Sequence, residues 1–432
     1  MNHPSDSKNH AHNQSNPQLQ ANSVIPIRPG VYHHTTHNLK SARLPAIDLL
    51  RGLIIVLMAL DHTRGFWGST SFNPTDLAYT TPAWFFTRWI THFCAPLFIV
   101  LTGVSAYLYG EKVQSRAALQ RYLCSRGLWL ILLEISVINL SWQFAYPSVF
   151  LQVIWAIGCS MLVLALLIYL PRIWLLVFSL ACIGLHNMLD DTTINQLLGN
   201  QHWLWNVMHQ KRHIPLGEHG FFIGVTYPLL PWFAVMALGY CLGALYHLAA
   251  QRRQQILLWL GTACIGLFVL LRINAGYGDP TIWQAGTTGN ASAVTNLLAF
   301  LNTTKYPPSL QYLCMTLGPG MLLLAAFERV QSTHRFGTIW RALHVFGSVP
   351  LFFYLIHIPF LNVCAHLYAY QRYGQWTNFV YGYSTWPTGY EPHLSLVYAA
   401  WFAALLLLYW PCKWYGRIKR QRQSKWPIFA YL

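Results

Sequence analysis

Ten runs of mostly apolar residues, each close to bilayer-spanning length, recur along the chain, near 46–66, 83–109, 124–142, 149–170, 172–189, 226–249, 256–273, 308–327, 347–370 and 394–411. A spanning helix needs about 20 such residues. In lipid every backbone N–H and C=O must be satisfied within the segment, which for runs of this length means helix. The sequence therefore predicts an all-α polytopic membrane bundle of about ten transmembrane helices. Only 9% of the residues are charged, against about 25% in soluble domains, so the chain cannot cover itself with a wet surface. The short connections leave no second soluble domain.

The net charge of +16 raises the question of nucleic acid, and its placement answers against it. With the N-terminus inside, twenty of the 28 Lys and Arg fall in cytoplasmic segments and five outside. That bias puts both termini in the cytoplasm. Three parts are expected: a disordered cytoplasmic tail (1–42), the bundle (43–412) and a basic cytoplasmic tail (413–432) held against anionic lipid. Nine cysteines are scattered singly with no CxxC pair, so neither a disulfide framework nor a metal site is indicated. Two outer connections, 190–225 and 274–307, are long. The first is dense in His and Trp and is a candidate lid or acceptor-binding surface.

The first run, "AIDLLRGLIIVLMALDHTRGFW", carries Asp48, Arg51, Asp61, His62 and Arg64. An Asp or Arg at mid-bilayer costs roughly 3 kcal/mol, and such residues face the bundle interior or a watery cavity. Asp48 can pair with Arg51 one turn on, and Asp61 with Arg64. Eleven residues turn a helix through about 1100°, so Arg51 and His62 share a face about 16 Å apart. Further groups recur in later spans: Arg88 and His92 at i and i+4, Glu134 in the third span and His357 in the ninth. Together they predict a polar cavity suited to an anionic ligand and a proton transfer. Structural salt bridges between helices, or the relay of a proton-coupled transporter or flippase, remain open on the same residues.

The segments "IDLLRG…MALDHTR", "RWITHFCAPLFIVLTG", "VIWAIGCSMLVLALLIYLP", "YPLLPWFAVMALGYCLG", "TTKYPPSLQYLCMTLGPG" and "GSVPLFFYLIH" together resemble bacterial membrane proteins related to the catalytic domain of heparan-α-glucosaminide N-acetyltransferase. The resemblance runs from about 43 to 420. Arg, ten residues, then His also resembles the signature of the wider transmembrane acyltransferases. The resemblance implies transfer of an acetyl or other acyl group from cytoplasmic acyl-CoA to a glycan or amino-sugar acceptor beyond the membrane, with no metal. By the motif match His62 takes the catalytic position, Arg51 the family's arginine and His357 a second histidine.

The candidate catalytic residues are then His62, Asp61 and His357. Arg51, Arg88 and Asp48 are the candidates for binding the CoA co-substrate. His92, Arg64, Lys305, Tyr306 and Glu134 are the candidates for binding the acceptor. Histidine, with a pKa near 6.5, suits the general base that such a transfer needs. Asp61 points about 100° from His62 on a helix, so another carboxylate such as Glu134 is the expected orienting partner. Membrane lipids are expected partners, and association between copies of the chain stays open.

Overall fold

The protein was studied as a computed structural model that describes residues 45–422 apart from 146–147, 191–195, 198, 200–202, 218–219, 282–291, 333–336 and 381–384. The N-terminal segment 1–42 and the last ten residues of the basic tail lie outside the described residues. Fifteen α-helices are described: α1 (Pro45–Trp67), α2 (Pro82–Trp89), α3 (Cys94–Val113), α4 (Arg116–Leu133), α5 (Asn139–Gln143), α6 (Val153–Leu167), α7 (Arg172–Leu185), α8 (Trp203–Met208), α9 (Leu230–Gly243), α10 (Ala250–Asn274), α11 (Ala293–Leu301), α12 (Leu310–Ser332), α13 (Thr338–Ser348), α14 (Pro350–Tyr373) and α15 (Leu394–Arg422). Eight helical stretches among them are long and apolar enough to cross a membrane. The charge-bearing α1 and the 15-residue α6 add two more apolar rods at the remaining predicted places. The chain is a polytopic, all-α membrane protein.

Two joints inside spans place candidate side chains. Thr81 caps α2 and Pro82 starts it, where the missing proline N–H costs nothing. A 3-10 turn, Ile90–Phe93, then joins α2 to α3, so Arg88 and His92 stand at the junction. In the next span a π-helical turn, Glu134–Ile138, links α4 to α5. Glu134 Oε2 accepts the amide N–H of Trp155 at 3.1 Å. It thereby caps the first turn of α6, whose own N-cap residue, Gln152, makes no side-chain cap. A carboxylate suits that position because the helix dipole is positive there.

Helices close on one another through facing glycines. A Cβ on Gly127 would stand 2.7 Å from the carbonyl oxygen of Gly158, and one on Gly158 would stand 2.7 Å from that of Gly127, which draws α4 and α6 together. Gly52 meets the backbone of Leu343 and Gly347 that of Asp48, which locks α13 against α1. Lipid gives helices little hydrophobic reason to associate, so small residues that permit close backbone packing carry the contact. α1 packs against α3, α12, α13, α14 and α15, so its ionisable residues are surrounded by helices rather than lipid.

The described residues of the long connection 190–225 include regular secondary structure. It contains α8 and two strands, β2 (Arg212–Pro215) and β3 (Phe222–Val225). β3 pairs antiparallel with β2 and parallel with β1 (Val149–Leu151), in the order β1-β3-β2. At the other end, α15 continues without a break through Lys413 to Arg422, so the basic tail begins as helix.

Candidate functional site

The ionisable residues of α1 separate into an inner group at its N-terminal end and an outer group at its C-terminal end, in the sidedness that the charge bias predicts. In the inner group Arg51 Nη1 lies 3.3 Å from Asp48 Oδ1. Its Nη2 donates to the Ser105 hydroxyl and, at 3.4 Å, to the Leu101 carbonyl. Arg51 therefore ties α1 to the inner half of α3, and its side chain keeps 21% of its surface exposed.

The outer group is denser. Arg64 Nη2 lies 3.1 Å from Asp61 Oδ1. Arg88, brought in by the joint between α2 and α3, places Nη1 2.6 Å from each Asp61 oxygen. Lys305 also lies within the field of Asp61, and among the described residues its ammonium makes no ion pair. Three cations thus surround one carboxylate. The Lys305 and Lys211 ammonium groups lie over the Tyr306 ring, 5.2 and 5.0 Å from its centroid. The Tyr306 phenol is 3.5 Å from that of Tyr227. Burial resists ionisation of Tyr306, but Lys305 and Arg88 outweigh it and bring the phenol down to about 8.

His62 faces a different neighbour from Asp61. Its Nδ1 lies 2.7 Å from His357 Nε2, with the rings stacked at 13° and 5.0 Å between centroids. His357 Nδ1 lies 2.8 Å from the Phe353 carbonyl oxygen. A carbonyl can only accept, so His357 Nδ1 carries the proton and its Nε2 accepts from His62 Nδ1–H. This chain fixes the neutral tautomer of His62 and leaves its Nε2 with a free lone pair. Trp142 and Tyr354 pack edge-on against the His62 ring, at 5.0 and 5.8 Å. Their N–H and O–H groups are buried with no partner among the described residues. Asn362 holds the Trp142 end of its helix by donating to the Ser141 and Trp142 carbonyls at 2.9 and 3.0 Å.

The predicted residues therefore do not gather into a single cavity. Asp61, Arg64, Arg88, Lys305 and Tyr306 come together, and His62 pairs with His357. Arg88 lies on Asp61 rather than beside Arg51. His92 is buried against Tyr312, whose O–H donates to the His92 backbone carbonyl at 2.7 Å, and its Nδ1 has no partner among the described residues. Glu134 is fully buried at the start of α6, and His357, not a carboxylate, orients His62.

Sequence reading missed the groups that hold the outer loop. Asp279 accepts from the Thr304 amide N–H (2.8 Å), the Thr304 hydroxyl (2.9 Å) and the Ser309 hydroxyl (2.7 Å), which pins the segment carrying Lys305 and Tyr306. Arg272 donates to the carbonyls of Ala299, Phe300 and Asn302 at 2.8, 2.9 and 2.6 Å and so caps the end of α11. The available signal was an Asp and an Arg next to the outer end of an apolar run. Tyr354 had one too, three residues before His357 in "FFYLIH"; Trp142 had none.

Residues 43–272, just over half of the chain, match a family model described as heparan-alpha-glucosaminide N-acetyltransferase, catalytic. No curated protein matches the chain. Asp48, Arg51, Asp61, His62, Arg64, Arg88, His92 and Glu134 fall inside the matched range; Lys305, Tyr306 and His357 join the site through the geometry.

Proposed function

Because the chain belongs to the heparan-alpha-glucosaminide N-acetyltransferase catalytic family, we propose that this membrane acetyltransferase moves an acetyl or related acyl group from cytoplasmic acyl-CoA to a hydroxyl or amine of a glycan or amino sugar. The acceptor stands on the far side of a bacterial-type inner membrane. The observation that carries this reading is the Phe353–His357–His62 hydrogen-bond chain, because it presents one unprotonated imidazole nitrogen among polar groups that have no partner of their own.

His62 Nε2 is the general base. It takes the proton from the acceptor O–H or N–H as the acceptor oxygen or nitrogen attacks the thioester carbonyl. The new C–O or C–N bond forms, the C–S bond breaks, and the departing CoA sulfur receives the proton back from Nε2. His357 is a positioning residue: its Nε2 accepts from the His62 Nδ1–H and steadies the imidazolium while it lasts. The buried Tyr354 O–H and Trp142 N–H are the donors nearest to where the carbonyl oxygen gains charge, and donors of this kind are typically worth about 3 kcal/mol of barrier. Asp61 orients Arg88 and Arg64 rather than His62. Arg51, with Asp48, stands where the phosphates of a cytoplasmic donor arrive, and guanidinium suits them. The pantetheine arm of CoA then spans the distance up α1 to His62.

Equilibrium binding and turnover of radiolabelled acetyl-CoA on purified protein test the reading, for wild type, Arg51→Ala, His62→Ala and His357→Phe. Binding weakened by Arg51→Ala, and turnover lost without loss of binding in His62→Ala, support it. His357→Phe is expected to lower kcat with little change in KM. Absence of acetyl-CoA binding would sink it. Label retained covalently on His62 after denaturing quench would replace direct transfer by a two-step route.

A further inference from the structure

Behind the histidine pair lies a chain of buried amides that the transfer chemistry leaves unused. Asn362 on α14 and Asn378, in the outer connection between α14 and α15, are both fully buried. Asn362 Nδ2 donates to the carbonyls of Ser141 and Trp142 at 2.9 and 3.0 Å. Those carbonyls lie in the last turn of the five-residue α5, where backbone acceptors have no partner within the helix. With its Nδ2 protons spent, Asn362 can only accept on its other side. Its Oδ1 takes a hydrogen bond from Asn378 Nδ2 at 2.8 Å, and Asn378 Oδ1 in turn accepts the Val380 amide N–H at 3.1 Å. Each amide thus has one orientation, and the chain runs from the outer connection to the backbone of Trp142.

The rings around Trp142 say what this chain holds. Its indole stacks on Phe66, with 4.9 Å between centroids and 20° between planes, and meets the His62 ring edge-on at 5.0 Å. Phe66 stands one turn after His62 on α1, so the indole is set against α1 twice. Its N–H is buried with no partner among the described residues. A π-helical turn immediately before α5 interrupts the regular i→i−4 ladder, so the end of this span leans on tertiary contacts for its position. Asn362 supplies the backbone half of them and Phe66 the ring half.

We infer that Asn378 is a positioning residue for acyl transfer: through Asn362 it sets the Trp142 N–H beside His62, from a segment of the chain that touches neither histidine. This rests on the transfer reading above, in which Trp142 is a donor to the developing charge. The link is neutral from end to end, so it acts through placement and not through a field. A pair of amides that served structure alone would be felt in stability and would leave the chemical step untouched.

The test is a double-variant cycle on purified full-length protein in detergent, reading kcat and KM for acetyl-CoA turnover. Asn378→Ala is expected to lower kcat about tenfold with little change in KM, a part of the roughly hundredfold that a misplacement of about 1 Å costs. Trp142→Phe keeps an aromatic ring against Phe66 and removes the N–H; it should lower kcat by itself, and in its background Asn378→Ala should lower kcat no further. Asn378→Ser keeps a donor on a shorter arm and should fall between Asn378→Ala and wild type, and it takes the place of Asn378→Ala in the cycle if that variant does not fold. An unchanged kcat in Asn378→Ala or in Trp142→Phe, or the same Asn378→Ala loss with and without the Trp142 N–H, would overturn the inference. A second readout needs no turnover. Diethyl pyrocarbonate modifies the free nitrogen of a neutral imidazole, and its rate at His62, located by peptide mass spectrometry, should change severalfold in Asn378→Ala. A wild type that turns over no acetyl-CoA while His62 reactivity still follows Asn378 strikes the transfer reading and leaves the hold of Asn378 on His62 in place. An unchanged rate strikes that hold.

Discussion

The two ends of α1 carry the same local device, an aspartate followed three residues later by an arginine, and the two differ in what surrounds them. At the inner end the Asp48–Arg51 pair is completed by Ser105 and a carbonyl of α3, so one charge answers another. At the outer end Asp61 holds Arg64 and also Arg88, with Lys305 near by, so cations are in excess. Residue spacing alone makes the two ends equivalent. Tertiary structure makes the first a joint between helices and leaves cations in excess at the second. An i,i+3 pair becomes a functional candidate when its neighbours leave it unbalanced.

The sharpest way to break this comparison is through turnover. His62→Ala is expected to lower kcat by about 10²–10⁴-fold with acetyl-CoA binding retained, whereas Arg51→Ala should act mainly on binding and be rescued by saturating donor. If Arg51→Ala at saturation lost as much as His62→Ala, the two ends would share one role. Stability gives the next contrast. Asp61→Ala strands buried arginines and should cost about 3–5 kcal/mol in chemical unfolding. Asp48→Ala removes a balanced pair at a helix start and should cost about 1 kcal/mol. Equal losses would remove the distinction.

Tyr306 offers a pH test of the outer excess. Its phenol is depressed to about 8 against burial by Lys305 and Arg88. A group whose folded pKa is lowered contributes stability that is complete above its unfolded value, near 10, and is lost as pH falls through about 8. The stability difference between wild type and Tyr306→Phe should therefore grow from pH 8 to 10, alongside a phenolate absorbance change near pH 8 that the variant lacks. A phenol titrating at or above 10 would mean that the cations are balanced by something else. The smallest effect expected is at Glu134, where Glu134→Ala removes a helix cap and should cost about 1 kcal/mol with turnover unchanged.

The architecture was legible because length and apolarity alone specify a spanning helix, and ten such runs reappear as ten rods. The outer sheet was not. "RHIP" and "FIGV" are short, and β1, the partner of "FIGV", lies about seventy residues away, so no local pattern announces the pairing. His62 could be singled out as an ionisable group in a costly place. Its partner could not be read from periodicity, since His357 is 295 positions away; His357 stood out as another ionisable group in a span and, by the resemblance, as a second histidine, without the pairing. Glu134 shows the opposite problem. A buried carboxylate in a span reads as chemistry, yet its nearest demand is the uncapped first turn of α6, visible only once Gln152 is seen to make no cap. Arg88 needed the 3-10 joint between α2 and α3 before it could be placed on Asp61.

The hydrogen-bond chain behind His62 ends at the carbonyl of Phe353, and a carbonyl is a dead end for protons. Nothing taken up at Nε2 can be passed through His357 and out to another compartment; it must go back through the nitrogen by which it came. A pump or a proton-coupled carrier needs an entrance and a separate exit. This histidine has one door, which is what a catalyst that borrows a proton and returns it within the same turnover requires.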